Sequence, residues 1–581
     1  MEPLSWFDYE SHRANERIRG ESTMSMSDRE TRHQYYRDQG WWDDRTLHSV
    51  FDAAADAVPD RVAVVDPPDC ETLIGRPPRR LTYNQVQNAS HNLAYTLREA
   101  GVKPGRAVLV QLPNTAELSV LYLALSRLGA IISPVPMQYG RHEIGHMARE
   151  LDAVCFIGQS HFKGVPAASG VASALDKSVT RFSFGSPDDK ARSLALYLAK
   201  PSERIEESAA TADKIFTVCW TSGTTGTPKG VPRTHQHWFA QVVAIEDTVP
   251  LEDGETMLNP FPMTNMAALS GFFFYWPQVR ATLALHHPFD LPVFLQQLVQ
   301  EDVAYTIAPP AVLNMFLQNE ELHSKVDISG VKYIASGSAP LDPWMVSGFK
   351  EKFGIEIINF FGSNEGIGLC GGPNEVPDTE QRATLFPRFG RPEIEWQNRF
   401  GQRFETKLVE WENDDREITE PGVPGEILIR GPNVFDGYLN DAGEGVFDAD
   451  GYFRTGDLFE IAGEGDLARF YRFKGRRKEL IIRGGMNISP EELDGIISAH
   501  PAIAEAAVCG YPDATMGEKV ALFAVLKPGE SLTLDDVRAF LTEQGVAKFK
   551  WPERLEIVDA LPRNPLNKVV RAELAARLKP A

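Results

Sequence analysis

The chain has 581 residues, of which 43% are hydrophobic and 24% charged, the composition of an ordinary globular protein rather than a fibrous or disordered one. Its formal net charge of −21 argues against binding to nucleic acid or to an anionic membrane, because both of these are negative themselves. The five cysteines are scattered without metal-ligand spacing, and no run of about 18 apolar residues occurs, so we expect a cytoplasmic protein without disulfides, zinc or a membrane span.

The first 45 residues are polar, and an aromatic run from Tyr35 to Trp42 predicts that this extension packs onto the body of the protein. From Thr46 onwards, helical periodicity alternates with short apolar runs. The predicted helices are Leu47–Ala57, Leu81–Gly101 and Ala116–Gly129, and the predicted strands are Val62–Asp66, Ala107–Gln111 and Ile131–Val135. Thr82, three residues before Gln85, predicts a capping box at the start of the second helix. This alternation predicts a parallel, doubly wound sheet.

Residues 160–213 show little pattern and are predicted to form a surface connection. A second α/β run extends from Ile215 to about Phe361, with its clearest strands at Val303–Ala308 and Val331–Ala335. After Glu395, short apolar strands separated by glycine and proline predict a β-rich subdomain. The C-terminal part predicts a small α+β unit.

A segment rich in glycine and hydroxyl side chains follows the apolar run Val218–Trp220. It reads Thr221, Ser222, Gly223, Thr224, Thr225, Gly226, Thr227, Pro228, Lys229 and Gly230. Glycines let backbone N–H groups turn toward an anion, hydroxyls add donors, and the lysine adds a positive charge. The segment therefore predicts a phosphate-binding loop, although flexible surface loops share this composition. It is not a Walker loop, because Pro228 precedes Lys229.

Thr221–Gly230 is similar to the signature loop of the adenylate-forming superfamily, which includes acyl-CoA synthetases, nonribosomal-peptide adenylation domains, aryl-acid ligases and beetle luciferases. Other segments resemble further motifs of that family in the family's order. They are Ser336–Pro340, Asn359–Gly366, Tyr452–Leu458, Gly475–Glu479 with Gly484–Asn487, and Leu561–Val569. Together the matches run from about Leu47 to the C-terminus.

The resemblance implies a set of ATP contacts. Phe361 would line the adenine slot, Asp457 would accept hydrogen bonds from the ribose hydroxyls, and Arg476 would contact ribose or phosphate. Thr221 and Glu365 would hold Mg²⁺. The other implied ATP contacts are Ser222, Gly223, Thr224, Thr225, Gly226, Lys229, Gly337, Ser338, Ala339, Asn359, Phe360, Gly362, Ser363, Asn364 and Lys568. Asn364 stands where the family usually has Thr, and its amide can still donate to a phosphate oxygen.

The resemblance also implies the catalytic residues, which are Lys568, Glu365 and Lys229. Lys568 would stabilise the charge that builds between the substrate carboxylate and the α-phosphate. Asn567 replaces the usual Gly of this tail motif, and Asn tolerates left-handed backbone better than most residues. Lys478 would be the hinge pivot. The residues expected near the CoA or pantetheine thiol are Gly484, Gly485, Met486 and Asn487.

The predicted fold class is α/β. A large N-terminal domain would contain two doubly wound sheets and a β-rich subdomain, and a small, mobile α+β domain would follow. The predicted boundaries are an N-terminal extension at 1–45, an adenylation domain at 46–474, a hinge at 475–479 and a C-terminal lid at 480–581.

The acyl pocket is implied by the segment Phe261–Ala268, which resembles a family segment that often reads Pro-x-x-His. Asn265 takes the histidine position, and Met266 stands where siderophore-pathway aryl-acid ligases have Asn. Asn265, Met266, Gly271 and Gly337 are the predicted pocket residues. Without a charged selector, the pocket predicts an apolar acid, whether aryl, alicyclic, medium- or long-chain, or steroid.

The predicted reaction joins ATP and a carboxylate to an acyl-AMP with release of pyrophosphate, and then transfers the acyl group to CoA. One alternative is an aryl-acid ligase that loads a carrier-protein phosphopantetheine. Another, of a different class, is an ADP-forming ATPase or a nucleotide-binding module. ATP, Mg²⁺ and CoA are the expected cofactors and cosubstrates, and the oligomeric state is left open, with a homodimer as one option.

Overall fold

The computed structural model describes residues 26, 28–185, 190–205, 210–221, 228–337, 340–410, 416–441, 445–483, 486–513, 515–544, 546, 548–564 and 568–578, with backbone only at 441, 478, 486 and 487. Within these ranges no helix has both the length and the apolar composition needed to cross a membrane.

Most helices are amphipathic or buried connections between strands. They are α1 (Arg29–Asp38), α2 (Leu47–Ala57), α3 (Cys70–Ile74), α4 (Tyr83–Glu99), α5 (Ala116–Leu128), α6 (Arg141–Glu150), α7 (Ala168–Val171), α8 (His235–Thr248), α9 (Met266–Ala268), α10 (Leu291–Gln300), α11 (Pro310–Gln318), α12 (Glu320–Lys325), α13 (Pro343–Phe353), α14 (Thr379–Arg382), α15 (Pro490–Ser498), α16 (Leu534–Glu543) and α17 (Arg571–Ala576). The predicted capping box is present at α4, where the Thr82 hydroxyl accepts from the Gln85 N–H.

The largest sheet has eight strands. They are β1 (Val62–Val65), β2 (Arg80–Thr82), β12 (Thr256–Asn259), β13 (Thr282–Leu285), β14 (Val303–Ile307), β15 (Tyr333–Gly337), β16 (Glu356–Gly362) and β17 (Gly368–Gly371), in the spatial order β17-β16-β15-β14-β12-β13-β1-β2. The six central strands are parallel, and the edge strands β2 and β17 are antiparallel to their neighbours. Helical crossovers permit this parallel centre.

The second sheet has seven strands. They are β3 (Ala107–Gln111), β4 (Ile131–Pro134), β5 (Cys155–Gln159), β8 (Thr180–Phe184), β9 (Arg192–Leu194), β10 (Ile215–Thr221) and β11 (Lys229–Thr234), in the order β11-β10-β4-β3-β5-β8-β9. A separate small hairpin pairs β6 (His161–Phe162) with β7 (Val165–Pro166). The predicted surface connection at 160–213 is therefore wrong in part. Phe182, Ser183 and Phe184 of β8 are buried, but polar residues alternate with the two phenylalanines, so the strand does not appear as an apolar run in the sequence.

Two smaller sheets complete the fold. The first is antiparallel and contains β18 (Leu385–Pro387), β19 (Glu405–Val409), β20 (Gly425–Arg430), β21 (Phe453–Ile461) and β22 (Phe470–Arg476). The C-terminal sheet contains β23 (Ile481–Arg483), β24 (Met486–Ile488), β25 (Ile503–Asp513), β26 (Gly517–Leu526) and β27 (Arg554–Ile557), and it packs with α15 and α16 in its own core. The predicted fold class is confirmed. The proposed hinge at 475–479 connects β22 to β23.

The core between the two large sheets is aromatic. The run Phe272–Trp276 is fully buried there. Phe274 stacks on Trp238 at 5.4 Å, and Trp276 lies 5.0 Å from the Phe51 ring. Burial of such large side chains fixes how the two sheets meet, and this in turn sets the positions of their strand ends.

Candidate active site

Two strand ends from different sheets meet at a single buried amide. β10 ends at Thr221, and β16 leads into Asn364 and Glu365. Asn364 Nδ2 donates to the Trp220 carbonyl over 3.3 Å, and its Oδ1 accepts from the Met266 N–H over 2.9 Å. Asn364 thus joins the strand before the phosphate loop, the predicted magnesium motif and the predicted acyl segment. Its predicted contact with phosphate stays a prediction.

One tyrosine lies between the two charged groups predicted to act on phosphate and Mg²⁺. Lys229 pairs with Thr221 across the β10–β11 hairpin, and its Nζ is 4.8 Å from the Tyr438 ring centroid. The Tyr438 hydroxyl donates to Glu365 Oε1 over 2.8 Å. Burial and the Glu365 carboxylate raise the pKa of Tyr438 well above its usual range, so the tyrosine remains a hydrogen-bond donor.

The turn before Glu365 is held by a buried arginine. Arg233 is inaccessible to solvent and donates to three backbone carbonyls, at 2.8 Å to Asn364, 3.1 Å to His237 and 2.6 Å to Asn433. Burial lowers the pKa of Arg233 to about 9, which leaves it charged at neutral pH. Charge-assisted hydrogen bonds of this kind are strong, so the turn is rigidly placed.

The predicted ribose ligand and its arginine face each other across two strands. Asp457 of β21 pairs with Arg476 of β22, and Arg476 Nε lies 3.0 Å from Asp457 Oδ1. Oδ1 is buried and lacks a well-aligned hydrogen-bond donor among the described residues. Burial raises the pKa of Asp457 to about 6, although Arg476 and Lys568 oppose this. A buried carboxylate oxygen with spare acceptor capacity suits a sugar hydroxyl.

The C-terminal tail brings Lys568 to the same place. Two hydrogen bonds join Asn564 and Lys568: the Lys568 N–H donates to the Asn564 side chain over 3.0 Å, and the Asn564 N–H donates to the Lys568 carbonyl over 2.8 Å. Lys568 is exposed to solvent, although neighbouring protein atoms partly desolvate its ammonium group. This environment and the Arg476 charge lower its pKa, while Asp457, Glu479 and Glu365 raise it less.

The predicted adenine side is lined by aromatic rings. Phe361 is half-buried, 5.0 Å from the Phe473 ring and 5.2 Å from that of Phe459. Gly337 ends β15, and a Cβ there would lie 2.1 Å from the Phe360 carbonyl oxygen, so only glycine allows this approach of β15 to β16.

Other predicted ATP contacts have their side chains turned into the protein. The Asn359 amide donates to the carbonyls of Arg382 and Ala383, and Phe360 belongs to the main core. The Ser363 hydroxyl is buried without a described partner. Gly362 is exposed. If Asn359 and Phe360 contact ATP, they do so through their backbone groups.

The predicted acyl segment follows β12. The Asn265 side chain caps α9 by accepting from the Ala268 N–H over 3.2 Å. Met266 is buried, and Gly271 approaches Tyr305, whose hydroxyl would lie 3.5 Å from a Cβ at that position. Their role in binding an acyl group stays a prediction.

Two protein-family models match this chain. Residues 51–439 match the family model described as AMP-binding enzyme, and residues 492–568 match the model described as AMP-binding enzyme C-terminal domain. This chain belongs to the AMP-binding enzyme family. The resemblance to the adenylate-forming superfamily is thereby confirmed, and the protein is a ligase of that superfamily.

The relatives of this AMP-binding enzyme span almost its whole length. Enterobactin synthase component E of Escherichia coli (strain K12) is 28% identical over 93% of this chain and 95% of its own. The medium-chain fatty-acid–CoA ligase of the same organism is 27% identical over 96% and 95%. The structure of o-succinylbenzoate CoA synthetase from Bacillus subtilis with its acyl-adenylate intermediate has a TM-score of 0.72 and 24% identity, covering 92% of this chain and 98% of that one. At that identity, the likeness shows the fold.

At the domain junction of the AMP-binding enzyme, one arginine meets three carboxylates. Arg571 Nη1 lies 3.2 Å from Glu479 and 3.8 Å from Glu491, and Arg571 Nη2 bonds Asp494. Burial and the neighbouring Glu479 raise the pKa of Glu491 to about 8, against the opposing Arg571 charge. A Cβ at Gly475 would lie 3.0 Å from the Glu491 carboxylate, so this cluster packs directly on the end of β22.

Some predicted residues lie outside the described part of the chain. They are Ser222, Gly223, Thr224, Thr225, Gly226, Ser338, Ala339, Gly484, Gly485 and Asn567, and the side chains of Lys478, Met486 and Asn487. Conversely, Tyr438, Arg233 and Asp436 were not predicted. Tyr438 follows Gly437 in a loop without periodicity, and only the fold brings it to a glutamate 73 residues away.

Proposed function

We propose that this AMP-binding enzyme activates an apolar carboxylic acid as an acyl-AMP and transfers the acyl group to CoA. One observation supports adenylation most directly: the tail lysine, Lys568, interacts electrostatically with Asp457, Arg476 and Glu365, the residues predicted to bind ribose, phosphate and Mg²⁺. These groups come from three separate segments of the chain. An accessible ammonium in such a cleft suits the stabilisation of negative charge that builds during reaction.

The donor set fits Mg²⁺. Mg²⁺ prefers hard oxygen ligands, and Glu365 presents a carboxylate whose Oε1 is oriented by the Tyr438 hydroxyl. The Thr221 hydroxyl lies at the end of β10, which Asn364 joins to the Glu365 turn through Trp220. Glu365 and Thr221 would hold the ion, which would neutralise charge on the triphosphate. Among the described residues, no positively charged side chain forms an ion pair with Glu365 where the ion would lie.

The remaining steps belong to the residues of the chain. Asp457 would accept from the ribose hydroxyls, Lys229 would bind phosphate oxygens, and Lys568 would lie between the substrate carboxylate and the α-phosphate. The carboxylate oxygen forms the new bond to the α-phosphorus as the bond to pyrophosphate breaks. We further propose that the C-terminal domain then turns about Lys478 and brings residues 484–487 toward the thiol, whose sulfur displaces AMP from the acyl carbon.

The acceptor is proposed as CoA because several full-length relatives are named CoA ligases, among them the medium-chain fatty-acid and indoleacetate ligases. A carrier protein remains the second candidate acceptor, because one full-length relative is named enterobactin synthase component E. We place the enzyme in the cytoplasm, consistent with five free, buried cysteines.

Pyrophosphate release tests this proposal. The purified enzyme is given MgATP and, one at a time, aryl, alicyclic, fatty and steroid carboxylates, with and without CoA. We expect pyrophosphate whenever a suitable carboxylate is present. We expect AMP and a thioester only when CoA is present as well. ADP as the product would reject adenylation. Adenylation without thioester formation, together with acylation of an added phosphopantetheine carrier, would reject CoA as the acceptor.

A further inference from the structure

The N-terminal segment 28–42 precedes the matched family range, and the adenylation chemistry assigns it no role. It comprises α1 and the Trp41–Trp42 pair that follows. Tyr36 and Trp42 are buried against Ala240 of α8. The segment is thus a packed part of the molecule.

This segment contacts one loop, residues 431–438, on the side opposite the Glu365 turn. The Trp42 indole N–H donates to the Pro432 carbonyl over 2.9 Å in a buried contact. His33 Nε2 lies 2.9 Å from Asp436 Oδ1, and Arg29 lies 3.2 Å from Oδ2 of the same carboxylate. Burial would raise the pKa of Asp436, but the hydrogen bond from His33 and the surrounding positive charges hold it at about 2. The carboxylate is therefore ionised and fixed at both oxygens.

The inner side of the same loop holds the Glu365 turn. The Phe435 N–H donates to the Glu365 carbonyl over 2.9 Å, and the Asn433 amide donates to the Gly366 carbonyl over 2.8 Å. A Cβ at Gly366 would lie 2.5 Å from the Asn433 carbonyl oxygen, so backbone packs on backbone. Tyr438, at the end of the loop, orients the Glu365 carboxylate itself. A displacement of the loop would therefore move Glu365.

The cluster behind the loop could also suggest a metal site, since ligand atoms of His33, His237 and Asp436 lie within 4.8 Å of one another. The hydrogen bonds argue otherwise. His237 Nδ1 accepts from the Thr234 N–H over 3.2 Å, which places the imidazole proton on Nε2, 3.7 Å from Asp436 Oδ2. Nε2 then has no lone pair for a metal. The His33–Asp436 hydrogen bond, with His237 packed beside it, explains the cluster better than a metal site does.

We propose that segment 28–42 is a positioning element for the MgATP site: through Trp42 and His33 it fixes the 431–438 loop, and the loop fixes Glu365. This rests on the proposed function, in which Glu365 acts at the triphosphate end. Its effect should therefore reach MgATP and leave AMP unaffected, because AMP lacks the β- and γ-phosphates and is added without Mg²⁺.

The test measures equilibrium binding of MgATP, and of AMP without Mg²⁺, to full-length variants. Trp42→Phe keeps the ring but removes the N–H, His33→Leu removes the bond to Asp436, and His33→Gln restores a donor. Gln34→Ala, on the exposed side of α1, is the matched control. We expect Trp42→Phe and His33→Leu to weaken MgATP binding about tenfold, the size of one hydrogen bond to a charged or buried group, while AMP binding stays constant. His33→Gln should recover most of the loss, and Gln34→Ala should bind like wild type.

A double-mutant cycle with Tyr438→Phe separates positioning from general stability. If the segment acts through the Tyr438–Glu365 contact, the two losses will be less than additive. Equal weakening of MgATP and AMP, or an unchanged MgATP affinity with a lower Tm, would overturn the inference. So would one equivalent of tightly held zinc in the purified protein. Because binding is read without turnover, an enzyme that released no pyrophosphate would reject the proposed function and leave this test intact.

Discussion

At the scale of single residues, the site depends on charged groups in environments that change their protonation. Asp457 is buried opposite Arg476, and burial outweighs the ion pair in raising its pKa to about 6. Lys568 shows the reverse case, since its surroundings and Arg476 lower its pKa. Opposite shifts of an acid and a base that lie close together are typical of functional sites. Two predictions belong to this scale.

Lys568→Ala should greatly reduce formation of acyl-AMP, while conversion of supplied acyl-AMP and CoA to the thioester largely persists. In the proposed mechanism, this lysine stabilises charge only in the first half-reaction. Loss of one such group typically costs about 100- to 1000-fold in rate. ATP–pyrophosphate exchange measures the first half-reaction, and thioester formation from synthetic acyl-AMP measures the second. Normal exchange in the variant would contradict the assignment.

The apparent KM for ATP should rise as the pH falls through about 6. In the proposed site, Asp457 accepts from the ribose hydroxyls, which it does best when ionised, and its raised pKa means that it gains a proton near that pH. Asp457→Asn cannot titrate, so its KM should be high at every pH and should lack this inflection. Steady-state kinetics at saturating carboxylate measures both. An identical pH profile in wild type and variant would assign the inflection to another group, such as ATP itself.

At the scale of elements, the geometry of the predicted nucleotide-binding side depends on the distance between neighbouring strands. β15 and β16 pair through Gly337 and Phe360, and the short distance between them leaves no room for a side chain at Gly337. The β10–β11 hairpin similarly fixes both ends of the phosphate loop, with Thr221 opposite Lys229. Loops are placed by the rigid strands that they connect, so strand contacts control the geometry of the site.

Gly337→Ala should destabilise the protein by about 1–3 kcal/mol, because the added Cβ would meet a backbone carbonyl rather than a movable side chain. It should also weaken ATP binding. Gly170→Ala is the matched control, since a Cβ at Gly170 in α7 meets nothing within 4 Å. Thermal unfolding and ATP titration of both variants measure the effect. Equal Tm values for the two variants would show that β15 and β16 can separate without cost.

At the scale of the whole molecule, the C-terminal unit rests on the N-terminal domain at the end of β22. Glu491 packs against Gly475 at this point, and Arg571 lies beside the carboxylates of Glu479, Glu491 and Asp494. The raised pKa of Glu491 means that the docked arrangement favours its protonated form. The stabilisation is therefore fully present below the ordinary pKa of 4.5 and is lost as the pH rises from there to about 8.

Fluorescence energy transfer between dyes on the two domains should show the docked population falling as the pH rises from about 4.5 to about 8 and levelling off above that. Ionised Glu491 would repel Glu479 and would have to leave its buried position. Glu491→Gln cannot ionise and should abolish this dependence, while Glu530→Gln, at an exposed site, should behave like wild type. A pH-independent signal in wild type would show that the junction does not respond to this carboxyl group.

Local patterns in the sequence determined many of the helices and strands of this protein, as well as its family. Helix periodicity and the Thr82–Gln85 cap predicted α4 correctly, and buried strands such as β3 and β14 were evident as apolar runs. The ordered motifs predicted the family. These features depend on neighbours within a few turns of chain, where spacing alone carries the signal.

Only the tertiary structure decided which distant groups meet. β8 escaped prediction because its polar residues interrupt the apolar run that made β3 and β14 evident. The Asn364 bridge, the Tyr438 hydroxyl on Glu365 and the His33–Asp436 contact each join residues from separate segments. Such contacts are set by the packing of sheets and loops around a shared core, and no local spacing encodes the distance between those segments.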